Sequence, residues 1–70
     1  MNHGTISNIA VFIDGDNISA SHYQKIIDEL KQMGRILTQR LYADFTRPTT
    51  TQWKEYIMNY GIDAIQTFRI

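Results

Sequence analysis

Cysteine is absent from the sequence, which excludes disulfide staples and thiolate zinc sites together. The two histidines, His3 and His22, have no metal-ligand spacing that would replace them. An excess of one charge is also missing. Seven basic side chains balance seven acidic ones, so no global field draws nucleic acid in, and any such contact must be local. No apolar run reaches the length of a membrane span. The opening Met1-Asn2-His3-Gly4-Thr5 lacks the basic and apolar regions of a secretory signal. The expectation is a cytoplasmic location with no membrane partner. Internal repeats and low-complexity stretches are absent too.

What is present is a 70-residue chain with 43% hydrophobic content, the composition of one small globular unit. A chain this short buries only about 60% of the surface that its unfolded form exposes, so it usually needs a staple or a partner. With no staple available, a partner is expected.

Residues 8–14 (Asn-Ile-Ala-Val-Phe-Ile-Asp) are apolar almost throughout and read as a central strand of a parallel sheet, covered on both faces. Residues 1–7 read as a flexible extension ahead of it. Gly15-Asp16-Asn17 breaks the run, and Ser21 with Gln24 has the form of a capping box. Tyr23, Ile26, Ile27, Leu30 and Met33 then make one apolar helical stripe, with Gly34 placed as a left-handed cap. Residues 36–45 have strand composition around the more polar Thr38-Gln39-Arg40. A loop at residues 47–51 contains the single proline, Pro48, and Thr49 with Gln52 offers an N-cap for a second helix. Trp53, Tyr56, Ile57 and Tyr60 form its stripe, Gly61 ends it, and residues 62–70 alternate as a third strand.

Strand, helix, strand, helix, strand is a pair of βαβ units, which predicts an α/β fold with a three-stranded parallel sheet. If the second and third strands add successively on one side of the first, both helices fall on one face. The other face is then bare and the first strand is an open edge, which natural proteins seldom leave uncovered.

Ligands of open α/β sheets bind at the carboxyl ends of the strands. Asp14 ends the first strand and Asp44 lies near the end of the second. With Asp16 and Asn17 on the intervening turn, these carboxylates are expected at one rim. Clustered carboxylates repel unless a cation joins them, and hard oxygen ligands suit magnesium or manganese. Such an ion assists phosphodiester hydrolysis. Blander roles stand beside this one. Asp14 can cap the turn, Asp16 and Asn17 are ordinary bend residues, and Asp44 can be a solvated strand-end charge. Tyr42 and Trp53 read as core, and His22 as a surface residue of the first helix.

The motif Val11-Phe12-Ile13-Asp14-Gly15-Asp16-Asn17-Ile18 resembles the opening of the NYN domain in its LabA-like group. Arg40-Leu41-Tyr42-Ala43-Asp44-Phe45 is similar to that group's second strand, and Trp53-Lys54 with Gly61-Ile62 to its second helix and third strand. The likeness covers residues 8–70. It implies a PIN-like (Rossmannoid) α/β/α nuclease fold, a Mg2+ or Mn2+ cofactor and RNA as substrate. By the resemblance Asp14, Asp16 and Asp44 serve the metal, and Asp14, Asn17 and Asp44 the catalysis. Members of the group carry further acidic ligands beyond the third strand, on a Lys-Asn-x-x-Asp segment and a Ser-x-Asp-Ser-Asp-Phe-like strand end. Residues 8–70 are therefore expected to be the amino-terminal part of such a domain, with an incomplete site and no catalysis by this chain alone.

Two other readings remain open. A haloacid-dehalogenase-like phosphatase would use Asp14 as nucleophile and Asp16 as general acid, although Asn17-Ile18 departs from its usual continuation. Alternatively the chain is a non-catalytic RNA-binding or protein-interaction module. Either further chain or a second copy is expected to cover the bare face and edge, and a homodimer through them is expected in solution.

Overall fold

The computed structural model describes residues 7–68. Three parallel strands alternate with two helices: β1 (Ser7–Asp14), α1 (Ala20–Met33), β2 (Gly34–Ala43), α2 (Trp53–Tyr60) and β3 (Asp63–Gln66). A 3-10 turn at Pro48–Thr50 precedes α2. This is the α/β architecture anticipated from the two βαβ units, and it is consistent with part of a PIN-like domain. The expected extension falls mostly on residues 1–6, outside the described residues, and Ser7 already belongs to β1. The third strand is shorter than its alternation implied: it ends at Gln66, and residues 69–70 lie outside the described region.

The strand order is β1-β2-β3, so β2 is the middle strand and β1 is an edge among the described residues. The apolar run at residues 8–14 is therefore not an interior strand here. Its composition instead serves two unlike faces. Val11 and Ile13 turn under the helices at 8% and 5% exposure, whereas Phe12 stands on the opposite face at 60%. Pairing of Phe12 with Arg40, Asp14 with Tyr42, Arg40 with Asp63 and Tyr42 with Ile65 sets these residues on that same open face. Tyr42 is thus half-buried against Phe12, with ring centroids 6.4 Å apart, and is not a core residue. The ladder shifts between Ile9 and Ala10, where β2 carries Leu37 as an extra residue, itself 59% exposed.

Both helices cover the other face. The core joins Val11, Ile13 and Leu41 of the sheet to Ala20, Tyr23 and Ile27 of α1, Trp53 of α2, and Ile62. The buried arc of α1 is narrower than the sequence stripe. Ile26 and Met33 are 39% and 69% exposed, so they fall outside it. Tyr23 is the hub, its ring meeting Trp53, Tyr56 and Tyr60 edge-on at centroid distances of 5.6, 6.2 and 5.5 Å. Its hydroxyl donates to Gln39 Oε1, and Gln39 Nε2 donates to the Tyr60 carbonyl at 3.2 Å. The polar stretch of β2 thus supplies one inward-facing amide, which satisfies a buried phenol and the end of α2.

Three helix boundaries depart from expectation. The N-cap of α1 is Ser19, two residues before Ser21, and no capping box forms. Ser19 Oγ is engaged instead by His22 Nδ1 at 2.8 Å and by Ser21 Oγ at 3.1 Å. Gly34 is not a left-handed cap but extended backbone that opens β2 directly, at φ 176°. A glycine is needed there because a Cβ would lie 2.3 Å from the Ser7 carbonyl oxygen. Thr49 does not cap α2 either: the chain passes through the 3-10 turn first, and Gln52 Nε2 donates to the Thr49 carbonyl at 3.0 Å. Gly61 does adopt the left-handed conformation, φ 64°, and closes α2 as expected.

Burial, followed by the nearby Tyr60, raises the Tyr23 phenol from 10.0 to about 12. A raised value in the folded state stabilises the fold below pH 10, and that contribution is lost as pH rises through about 12. Urea denaturation is expected to show stability falling across this window in the wild type and a flatter profile in Tyr23→Phe. At neutral pH Tyr23→Phe is expected to destabilise the chain by ~1–3 kcal/mol, since Gln39 Oε1 loses its donor. A variant as stable as the wild type would remove the phenol from this role.

Candidate functional site

The carboxyl ends of the strands gather the motif residues. Asp14 closes β1, and the ladder runs one step further through Gly15 N to the Tyr42 carbonyl at 2.8 Å. The turn then folds back on Asp14, whose carbonyl accepts Asn17 N at 3.2 Å and Ile18 N at 3.0 Å. Gly15 sits so close over β2 that a Cβ would come 2.6 Å from Leu41 Cδ1 and 3.0 Å from Ala43 Cβ. Its carbonyl accepts the buried Trp53 indole N–H at 3.3 Å, which ties the turn to α2.

The side chains divide into two groups. Asp14 is exposed, its Oδ1 accepting Asp16 N at 3.2 Å and its Oδ2 accepting the Asn17 side-chain amide. The amide thereby fixes the carboxylate's orientation. Asp16 turns toward β2, both of its oxygens accepting Asp44 N at 3.3 Å. Asp44 in turn faces the end of β3 and its own turn. Its Oδ1 accepts Thr46 Oγ1 at 2.5 Å, Gln66 Nε2 at 2.8 Å and Thr46 N at 3.0 Å, and Arg47 Nε lies 3.9 Å from Oδ2. The Thr46 hydroxyl first, then the Gln66 amide and the Thr46 backbone N–H, hold the Asp44 carboxyl below its ordinary value.

The four residues named from the sequence are therefore joined in a chain of hydrogen bonds, Asn17 to Asp14 to Asp16 to Asp44, but their carboxylates do not converge on one point. Among the described residues no group of three or more His, Cys, Asp or Glu side chains is placed to hold a metal ion. The donor chemistry nevertheless suits a hard divalent cation at Asp14, an exposed carboxylate steadied by an amide at the strand rim. Asp44 is less disposed to such a role, because its carboxylate is already engaged by two side chains.

Sequence reasoning missed Gln66 and Thr46, which hold Asp44. Gln66 was legible in principle, since parallel pairing puts the end of β3 at the same rim. The Asp44-x-Thr46 spacing is that of a local Asx turn. A shallow pocket of about 180 Å3 adjoins the motif turn, bounded across from it by Thr49 and Gln52. Neither of these was anticipated as part of a site.

The family model of the NYN domain matches residues 8–70. No curated protein and no solved structure matches the chain. No helix among the described residues is long and apolar enough to cross a membrane. The match takes in the Asp14–Asn17 turn and the Asp44 strand end alike, and the chain belongs to the NYN domain family, a family of PIN-like nucleases.

Proposed function

We propose that this chain supplies the Asp14 end of a divalent-metal-dependent site for cleaving RNA in the cytoplasm. The observation that carries the reading is the exposed Asp14 carboxylate, oriented by the Asn17 amide at the carboxyl end of β1, within a matched NYN domain. Asp14 would hold Mg2+ or Mn2+ and Asn17 would keep its carboxylate aimed. Asp16 fastens the motif turn to the end of β2, and Asp44 fastens that end to Gln66 of β3. When bound, the ion supplies Lewis acidity toward a phosphodiester oxygen and lowers the pKa of water. Further acidic ligands, which the family resemblance puts beyond the third strand, would complete the shell, and residues 8–70 would be the amino-terminal part of the domain. The phosphatase alternative fits less well. It needs Asp16 to offer a proton to a leaving group, whereas both Asp16 oxygens accept the Asp44 amide.

Calorimetric titration with Mn2+ is expected to show weak binding that Asp14→Ala abolishes. Asn17→Ala should weaken it about 10- to 100-fold, the usual effect of losing a group that orients a ligand. Tight binding indifferent to Asp14→Ala would remove Asp14 from the site. Hydrolysis of a small phosphomonoester with RNA left intact would favour the phosphatase instead.

The partner reading is a homodimer, supported by the exposed Phe12 and Leu37 and by the unpaired edge of β1 among the described residues. Sedimentation at micromolar concentration is expected to show a dimer that Phe12→Glu converts to monomer. A stable folded wild-type monomer would overturn it.

A further inference from the structure

The pocket of about 180 Å3 beside the motif turn is smaller than the ~300–1,000 Å3 of sites that enclose a drug-sized ligand. It has room for one component of a nucleotide, and its lining decides which. Among the described residues no lysine or arginine borders it, so it lacks the cationic partners that usually hold a phosphate. Among the described residues no aromatic ring borders it, so they provide no stacking platform of the kind on which single-stranded bases are usually held. What it offers is neutral hydrogen-bonding groups, the Gln52 and Asn17 amides and the Thr49 and Ser19 hydroxyls, beside the aliphatic Ile18. That set matches a sugar, with hydroxyls to pair and a carbon ring to cover.

Geometry supports the same assignment. Asn17 both borders the pocket and binds Asp14, so an occupant would sit next to the proposed metal site. Ser19 Oγ is held in place by His22 Nδ1 at 2.8 Å. Gln52 Nε2 is tethered to the Thr49 carbonyl at 3.0 Å, which fixes the amide and leaves its oxygen to accept from a ligand hydroxyl. Thr49 is exposed, which leaves its hydroxyl open to a ligand.

We propose that this pocket is a ribose subsite of the RNA strand, in which Gln52 and Thr49 read the 2′-hydroxyl and so favour RNA over DNA. The inference rests on the RNA reading above but not on catalysis. The test is fluorescence anisotropy with labelled oligouridylate and its 2′-deoxy counterpart, in the presence of a chelator so that neither strand is cut. The wild-type chain is expected to bind the ribo strand more tightly. Gln52→Ala and Thr49→Ala should each weaken it by about two- to tenfold, the worth of one neutral hydrogen bond, and leave the deoxy strand unaffected. Thr49→Ala guards against a folding artefact at Gln52, which caps α2. Equal wild-type affinity for the two strands, no binding, or equal losses on both strands in the variants would overturn the subsite. Ribo-selective binding with RNA left uncut in Mn2+, even after further acidic ligands are supplied, would end the nuclease reading and leave the subsite standing.

Discussion

One buried hydrogen bond, from the Trp53 indole N–H to the Gly15 carbonyl, joins the core of this chain to its chemistry. Trp53 is fully buried and packs edge-on against Tyr23, so its ring cannot shift without disturbing α1 as well. Gly15 lies between Asp14 and Asp16, over the side chains of Leu41 and Ala43. The orientation of the motif turn is thus inherited from the packing of both helices on the sheet. An exposed carboxylate needs such a support, because the charge at Asp14 has no burial of its own to position it.

The same packing leaves the sheet one-sided. The three strands add in sequence order, so the helices that follow β1 and β2 land on one face, and no helix among the described residues lies over the other, which carries Phe12, Tyr42 and Ile65. A chain this small has little apolar surface to spare, and putting a phenylalanine at 60% exposure on an edge strand forfeits some of it. The loss is understandable if that face is covered in the working state. It also explains how β1 can be apolar at successive positions and yet be an edge: one set of residues serves the helices and the other serves whatever lies opposite.

The order and type of the three strands and two α-helices were legible from periodicity, and so was the placement of Asp14 at the carboxyl rim, whereas the 3-10 turn at Pro48–Thr50 read only as a loop. Less legible were the features set by close approach. Gly34 has the position of a helix cap in the sequence, and only the 2.3 Å gap to the Ser7 carbonyl reveals that it is there to let β2 begin beside β1. Ser21 and Gln24 have the spacing of a capping box, but α1 starts earlier, and Ser19 spends its hydroxyl on Ser21 and His22. The inward placement of the half-buried Gln39 was hidden for a similar reason. Its polarity argued for an exposed patch, whereas its amide is required inside by the Tyr23 hydroxyl and the Tyr60 carbonyl. Local pattern registers propensity, and these three residues answer to neighbours distant in sequence.

The same distinction applies to the carboxylates. Asp14, Asp16 and Asp44 were grouped because strand ends of a parallel sheet meet at one rim, and they do meet there. Proximity of backbones does not aim side chains. Asp16 is drawn to the Asp44 amide and Asp44 to Thr46 and Gln66, each satisfying a donor that would otherwise go unpaired at the ends of β2 and β3. Two of the three acids therefore hold the rim together, and one, Asp14, is left pointing outward with an amide to steady it. A cation shared by all three would have to break those bonds and strip the strand ends of their partners. A cation held by Asp14, with further oxygens brought from outside these residues, leaves the supporting network intact, and that is the arrangement the hydrogen bonding favours.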